Sequence, residues 1–496
     1  MKKTFITILC LLAAFGAFAQ DIMDRAEYQY NIARSLWYNS SSAAGLAWED
    51  MSPWRNVAAS YSLANGAFTD SWNSQSQMDL SLAGDMMVEV GGFKVFADLS
   101  LERDLLGKCR YNTSLFDVAW DMPFYAAVNT EEPFKWRRSA ASLGMNIASP
   151  LLVNDMLSAG LAFRMDLQGA TKNADPKCRY RGLSLDFTPS ATFAVNDENI
   201  VGLSLTYKVK PSRSILTSDD PSSKVFFLSG LGEYTNRWVS GDIGIAPIDY
   251  NSKVLGVALQ YNNYRDASDW LLELSLDKWK TNVLEDDVTL GRVDKYVTGF
   301  SATGLMGEKR NRKLTFGVNY NLNYWLQGVN ATTVGNNGII DGTLDYTIYT
   351  GVDGQTFNWT FGLGMDMAML MLNRYFPDSS LSSSRVLPYA CIGKNILIAD
   401  GHSLLARLKA GYNFAANTRF KYGGTASEGN KIVNCMLDDE VDYLGSYYLD
   451  TRLSLDYTYR VFAGLSAYAS LSGGLLKPMD SNSSRFLLSM SVGVLF

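Results

Sequence analysis

The final eleven residues, Phe486 to Phe496, read FLLSMSVGVLF, and their side chains sort into two faces of one extended strand. Successive side chains of a strand point to opposite sides. Phe486, Leu488, Met490, Val492, Val494 and Phe496 therefore share one wholly apolar face, while Leu487, Ser489, Ser491, Gly493 and Leu495 share a mostly small or polar one. Such a strand suits lipid on one side and a polar interior on the other.

The same alternation recurs along the chain in segments bounded by turn residues: Leu157 to Gln168, Ile200 to Lys210, Trp270 to Trp279, Leu314 to Trp325, Phe357 to Met371, Ser403 to Asn413 and Leu449 to Arg460. From Phe357 through Met371, Phe, Trp, Leu and Met fill one parity, and Asn358, Thr360, Gly362, Gly364 and Asp366 the other. A sandwich would bury that apolar face on a second sheet but seldom needs strands this long. Repeated many times, the pattern is that of a transmembrane barrel. The predicted fold is all-β, an antiparallel membrane barrel of about 18 strands, within a range of about 14 to 18.

The terminal strand resembles the closing strand of bacterial outer-membrane barrels, whose C-terminal phenylalanine, here Phe496, belongs to the signal read by the barrel-assembly machinery. The chain as a whole resembles the uncharacterised outer-membrane β-barrel families of Gram-negative bacteria. Residues 38–46, YNSSSAAGL, faintly resemble an N-terminal stretch of the long-chain fatty-acid transporter superfamily, without carrying its substrate across. TonB-dependent receptors have a far larger plug domain and about 22 strands, so energy-coupled uptake by this chain alone is not expected.

The N-terminus agrees about compartment. Lys2-Lys3, the apolar stretch Phe5 to Phe18 and Ala17-Phe18-Ala19 make a secretory signal peptide, cleaved after Ala19. Cys10 lies inside the apolar stretch without the small residues of a lipobox. Residues 20–53 form a second unit, with Met23, Ala26, Tyr30, Ala33, Leu36 and Trp37 at helical spacing. That helix lies either in the barrel mouth as a small plug or at the periplasmic rim. Residues 54–496 are the barrel.

Composition is consistent with this. Mean hydropathy is -0.06 despite 47% hydrophobic residues, and past the leader no apolar run approaches the ~18 to 20 residues of a spanning helix. The 27 Tyr and 11 Trp suit aromatic girdles at two interfaces. A net charge of -6 and a pI near 5.1 argue against nucleic acid. Cys109, Cys178, Cys391 and Cys435 lack metal-ligand spacing. Cys109 with Cys178 is the most plausible disulfide, and free thiols are the equal alternative.

Because the last strand must run down into the periplasm, every turn is assigned a side. Gly91-Gly92, Pro150 to Asp155, Asn196 to Asn199, Tyr264 to Ser268, Glu308 to Arg312, Val352 to Gly354, Ala399 to Gly401 and Tyr459 to Val461 fall on the periplasmic side, and all are short, as barrel topology requires. The connections Asp104 to Pro133, Gln168 to Lys177, Lys210 to Ser252, Lys280 to Val293, Gly328 to Asn337, Asn373 to Ser384 and Tyr412 to Val441 are the long extracellular loops. The parity holds only if Ser229 to Tyr250 belongs to such a loop, as a hairpin rising above the membrane.

Arg164, Asp166, Asp186, Lys208, Lys210, Glu273, Asp277, Arg407, Lys409, Asp450, Arg452, Asp456 and Arg460 fall on the polar parity, which makes them candidate lumen-lining residues. They act either as a ladder of interior ion pairs or as a charged constriction orienting polar solutes. Glu285-Asp286-Asp287 and Asp438-Asp439-Glu440 are expected in extracellular loops as solvated acidic segments, without the ligand spacing of a calcium loop.

The search for catalysis finds one histidine, His402, in a periplasmic turn, and no nucleophile, zinc or phosphate motif. A non-enzyme without a cofactor is the expectation. The expected function is a channel or transporter for small solutes; the alternative is a non-conducting structural barrel anchoring a surface or periplasmic partner complex. Expected partners are outer-membrane lipid and lipopolysaccharide, the barrel-assembly machinery and a surface lipoprotein.

Overall fold

The computed structural model describes residues 23–114, 122–128, 133–238, 246–354, 356–425, 427–462 and 464–496. The signal peptide expected over residues 1–19 lies outside the described residues. Eighteen antiparallel strands form one sheet, and it closes on itself where the first strand, Trp54–Asn65, pairs with the last, Arg485–Leu495. The register there runs from Asn56 opposite Leu495 to Asn65 opposite Phe486. Closure leaves no unpaired edge, the condition under which β-structure can cross hydrocarbon. No helix among the described residues is long and apolar enough to span a membrane.

The alternation seen in the sequence is the alternation of faces. In the last strand Phe486 and Val492 are each 62% exposed on the outer wall, while Leu495 is buried inside. On Trp359–Arg374 the row of Leu363, Met365, Met369 and Met371 faces outward, with Thr360, Leu370, Leu372 and Arg374 inward. Phe357, expected on that outer row, precedes the strand and is buried inside against Tyr30 and Tyr349.

This facing predicts a sharp asymmetry between neighbouring positions. Met490→Arg, on the lipid face near mid-strand, is expected to cost about 2–4 kcal/mol. Ser491→Arg, pointing inward to a polar face, is expected to cost clearly less. Denaturant unfolding in lipid vesicles reads both; equal costs would contradict the assigned faces.

The strands overshoot the membrane at the long-loop end, and here several expected loops become ladder. A spanning strand needs about 9–11 residues, yet Ser379–Ala399 has 21 and Lys177–Asn196 has 20. The expected loop Lys280 to Val293 is a hairpin of Ser268–Glu285 and Val288–Met306 joined by Asp286 and Asp287, both at positive φ. The strands continue because their inner residues at that end meet packed protein.

That protein comes from the remaining connections. Phe124–Ala127, Lys224–Ser229 and Glu233–Trp238 form a separate three-stranded sheet, and Glu428–Gly445 is a helix capped by Ser427, whose side chain accepts from Asn430 N. A hairpin over Ser229 to Tyr250 is not what forms: the paired strands are Lys224–Ser229 and Glu233–Trp238, the first buried in the mouth, and Ile248 to Tyr250 already belong to the wall strand Ile248–Arg265. Phe226, Phe227, Leu228 and Tyr125 pack with Ile432, Val433, Met436 and Leu437 of the helix and with Trp136, Tyr180, Leu216, Ile248 and Trp325 of the wall. Each fully buried side chain of this kind contributes roughly 1.5–3 kcal/mol, which is why the connections fold inward. Gly230 (φ 60°) permits a close approach to the wall, since a Cβ there would lie 2.2 Å from the Trp325 ring.

Candidate functional site

The opposite, short-turn end is filled by residues 23–53. The helix Arg25–Arg34 opens with Asp24, whose carboxylate accepts from Glu27 N at 2.8 Å while the Glu27 carboxylate accepts from Asp24 N at 2.7 Å. This reciprocal cap fixes the helix start. Two short 3₁₀ turns follow, Trp37–Asn39 and Ala43–Trp48. Of the two placements open from the sequence, the structure shows the segment inside the barrel rather than at its rim.

The plug is held by polar contacts to inward side chains of many strands. Ser403 donates to Asp24 at 3.0 Å, Tyr28 to Asp85 at 2.8 Å, Ser41 to Glu273 at 2.8 Å through its hydroxyl and 3.0 Å through its amide, and Trp48 to Thr192 at 2.8 Å. Ala44 N donates to Ser190 at 3.0 Å. At that spot the backbone lies so close to the wall that a Cβ on Gly160 would sit 2.2 Å from Ala44 N. Asp85 is a node, accepting from Tyr28, from Trp54 Nε1 at 2.7 Å and from Asn56 at 2.8 Å.

The thirteen charged residues singled out in the sequence divide into two groups. Glu273, Arg407, Asp456 and Arg460 stand at the plug: Arg407 donates to Gln29 and, at 3.2 Å, to Asp456, and Arg460 lies 3.6 Å from Glu27. The other nine stand on the inner wall between plug and mouth. Arg164 pairs with Asp166 at 3.1 Å, Arg452 with Asp450 at 3.2 Å and Lys208 with Asp186 at 3.8 Å. Lys409 lies 3.5 Å from the centroid of the Tyr389 ring, and the Tyr389 hydroxyl donates to Asp345 at 3.0 Å. Lys208 faces Trp279 on the same strand as Asp277, and Asp277 crowds Gly256. Lys210 lies two positions further toward the mouth, half-buried. The Arg164 and Arg452 side chains are 52% and 56% exposed although both face inward, so they border open interior space. Asp85, Asp345, Tyr389, Gln260 and the Ser190/Thr192 pair were missed; each lies on the inner parity of its strand, which is the signal that could have found them.

The terminal assembly residue, Phe496, exchanges backbone hydrogen bonds with Arg55 at 2.7 and 3.0 Å and completes the seam. His402 sits at the short-turn end, its Nδ1 2.7 Å from the Tyr457 hydroxyl and its ring stacked on Tyr459. Cys109, Cys178, Cys391 and Cys435 are all free thiols, so the disulfide considered for the first two is not formed.

The acidic run Asp438-Asp439-Glu440 is not the solvated loop segment expected. It lies on the mouth helix, where Asp439 accepts from Arg110 at 2.9 Å and Glu440, 2% exposed, accepts from the Ser71 amide and hydroxyl at 2.9 and 3.0 Å. Burial pushes the Glu440 carboxyl up to about 7, with neighbouring Asp70 adding to the rise and Ser71 and Arg385 opposing it. The folded mouth thus favours the neutral acid, and its helix loses docking stability as pH climbs from about 4.5 to about 7, by up to a few kcal/mol. Amide exchange of residues 428–445, corrected for intrinsic rates, is expected to show greater protection at pH 5 than at pH 8. Glu440→Gln should flatten that difference; an unchanged slope would contradict the assignment.

Among known proteins, a profile described as a family of unknown function (DUF6850) matches residues 43–496. No curated protein matches the sequence. Of solved structures, the chain is similar to the ferripyoverdine receptor of the Pseudomonas aeruginosa outer membrane (9% identity, TM-score 0.43, 88% of this chain and 72% of that one). It is also similar to the copper transporter OprC (9%, 0.40, 86% and 63%) and to a mutant of the TodX monoaromatic hydrocarbon channel (9%, 0.35, 92% and 92%). The chain thus spans less than two thirds of OprC.

Proposed function

From a chain that belongs to the DUF6850 family, whose function is unknown, and that folds as an outer-membrane β-barrel, we propose an outer-membrane channel or transporter for small polar solutes that rests closed at both ends. The observation that carries this reading is the belt of inward charges between plug and mouth, with the Arg164 and Arg452 side chains more than half exposed inside a closed wall. A barrel serving only as an anchor gains nothing from open space lined by ionised groups, whose burial is costly unless water or partners satisfy them. An 18-stranded wall is wide enough for an aqueous path once the end segments move.

The plug is the movable element on the periplasmic side. Its attachment combines hydrogen bonds and ion pairs, each worth about 0.5–1.5 kcal/mol net, with three separate small apolar clusters, around Tyr28 and Leu46, around Leu36 and Trp37, and around Ala26 and Tyr30, in place of one continuous apolar interface. The mouth is held by a continuous apolar cluster, and that cluster is what favours the second reading, a barrel whose folded outer end is a platform for a surface lipoprotein. We place the protein in a Gram-negative outer membrane, with the leader removed after Ala19, delivered by the barrel-assembly machinery through Phe496 and bordered by lipopolysaccharide. No catalytic step is assigned to it.

The test is ion selectivity in a variant opened at both ends. Adding Arg164→Glu and Arg452→Glu is expected to move the reversal potential under a salt gradient toward cation preference. An opened barrel that passes no ions, together with a stoichiometric partner retained after mild detergent extraction, would overturn the transport reading in favour of the platform.

A further inference from the structure

On the outer wall, the neighbouring strands Asn199–Thr217, Ile248–Arg265, Ser268–Glu285 and Val288–Met306 set their side chains in matched rows. Tyr207 lies opposite Leu255, Leu255 opposite Lys278, and Lys278 opposite Tyr296, and all four are exposed. Toward the short turns the next outward row is Leu205, Val257, Leu276 and Thr298, and the one after it Leu203, Leu259, Leu274 and Phe300. These rows are exposed and, apart from Thr298, apolar. Tyrosines closing an apolar band mark the boundary between lipid chains and headgroups.

One row toward the mouth the character changes, to Val209, Lys253, Lys280 and Asp294. Lys253 and Lys280 stand directly opposite each other, both exposed, with Lys278 two positions below on the same face. Like charges set across a ladder in this way destabilise it. None of the three lysines has a carboxylate partner among the described residues. Asp294 is taken by Arg292, whose Nε donates to it at 2.9 and 3.0 Å, and Asp249, higher on the strand of Lys253, is taken by Arg213 at 2.5 and 2.8 Å. Asp286 and Asp287 at the hairpin tip lie about 20 Å along the strand from Lys280. The cluster thus calls for an anion from outside the chain, and its depth says which kind.

We infer that Lys253, Lys278 and Lys280 bind the phosphorylated sugar headgroup of lipopolysaccharide, with its acyl chains lying along Leu255, Val257, Leu259, Leu274 and Leu276. Lysines one row above interfacial tyrosines meet phosphates at headgroup level, and the exposed leucines below them run down the same two strands. The choice of this lipid over a phospholipid rests on the placement proposed above, in which the long-loop end faces the outer leaflet; it does not rest on transport.

The test is native mass spectrometry of the full chain in nonionic micelles, titrated with diphosphoryl lipid A, dephosphorylated lipid A and phosphatidylglycerol. Diphosphoryl lipid A is expected to bind saturably, and the other two at least about tenfold more weakly, a difference of roughly 1.4 kcal/mol. Lys253→Gln, Lys278→Gln and Lys280→Gln combined should weaken it by about a hundredfold, at about fivefold for each lysine, while arginine at the same three positions should keep it. Arg419→Gln with Lys421→Gln removes two exposed cations at the same end of the barrel, one of them already paired with Asp378, and should change nothing. Equal binding of the three lipids, an unaffected triple glutamine variant, or an equal loss in the Arg419 and Lys421 control overturns the inference. Binding in micelles needs no flux, so its failure is distinct from failure of the conductance test.

Discussion

Replacing Gly160 by leucine together with Leu437 by aspartate is expected to turn a non-conducting barrel into one that passes ions, while either substitution alone leaves it closed. The reasons are local and independent. A side chain at position 160 must occupy the place of the Ala43 and Ala44 backbone, 2.2–2.7 Å from its Cβ. That backbone belongs to the plug and cannot yield by changing a rotamer, so the 3₁₀ turn has to leave the wall. At the other end, Leu437 is 0% exposed within the mouth cluster, and a carboxylate there costs several kcal/mol unless it reaches water. The cheapest route to water is undocking of the helix, and about 5.5 kcal/mol suffices to invert a 99:1 preference. Because the two obstructions lie in series, planar-bilayer conductance should rise only in the double variant. A single variant that conducts would show that one of the two ends is already open.

Asp85→Ala is expected to unseat the plug without touching the mouth. The substitution removes one acceptor from three donors, Tyr28, Trp54 and Asn56, which lie within 2.7–2.8 Å of it. Hydrogen bonds to a charged partner contribute about 1.5–3 kcal/mol each; the Trp54 and Asn56 bonds lie within the wall, so plug seating loses about one such bond directly, with their loosening of the seat added to it. Tyr28 is the member on the plug helix, and its ring also meets Trp54 edge-on at 5.9 Å. Exchange protection of residues 25–34 should fall by about a hundredfold or more, a factor equivalent to roughly 2.8 kcal/mol, with residues 428–445 unaffected. Tyr28→Phe, which removes one bond of the three, should show a smaller loss. Equal protection in Asp85→Ala and the parent would contradict the role of Asp85 as anchor.

The barrel was legible because its signal is periodic and covalent neighbours share it. Phe486 to Phe496 and the Met-rich strand ending at Arg374 each display the two faces within a few residues, and the direction of the last strand assigns every turn to a side. The inner charges were legible for the same reason, as was their parity. What the sequence could not show is which of them meet. Asp85 meets Tyr28 only because the plug folds back into the barrel, and Arg407 reaches Gln29 across 378 positions of chain.

The mouth escaped for a different reason. Stretches such as KVFFLS and the helix EGNKIVNCMLDDEVDYLG lie between transmembrane segments and read as loops by position. Their apolar residues find a surface only in the upper inner wall, where Trp136, Tyr180 and Trp325 stand on a parity that is polar lower down. Glu440 then becomes buried against Ser71, 369 positions away, although its neighbours in sequence suggest a solvated acidic run.

The central claim, a barrel stoppered at both ends around a charged interior, is tested most directly by its own cysteines. Cys435 lies exposed on the mouth helix, Cys391 on the inner wall, and Cys109 and Cys178 are buried. A bulky, membrane-impermeant maleimide applied to intact cells should label Cys435 alone in the parent protein and reach Cys391 as well once Gly160→Leu and Leu437→Asp are combined. Labelling of Cys391 in the parent would mean an open lumen and would contradict the account.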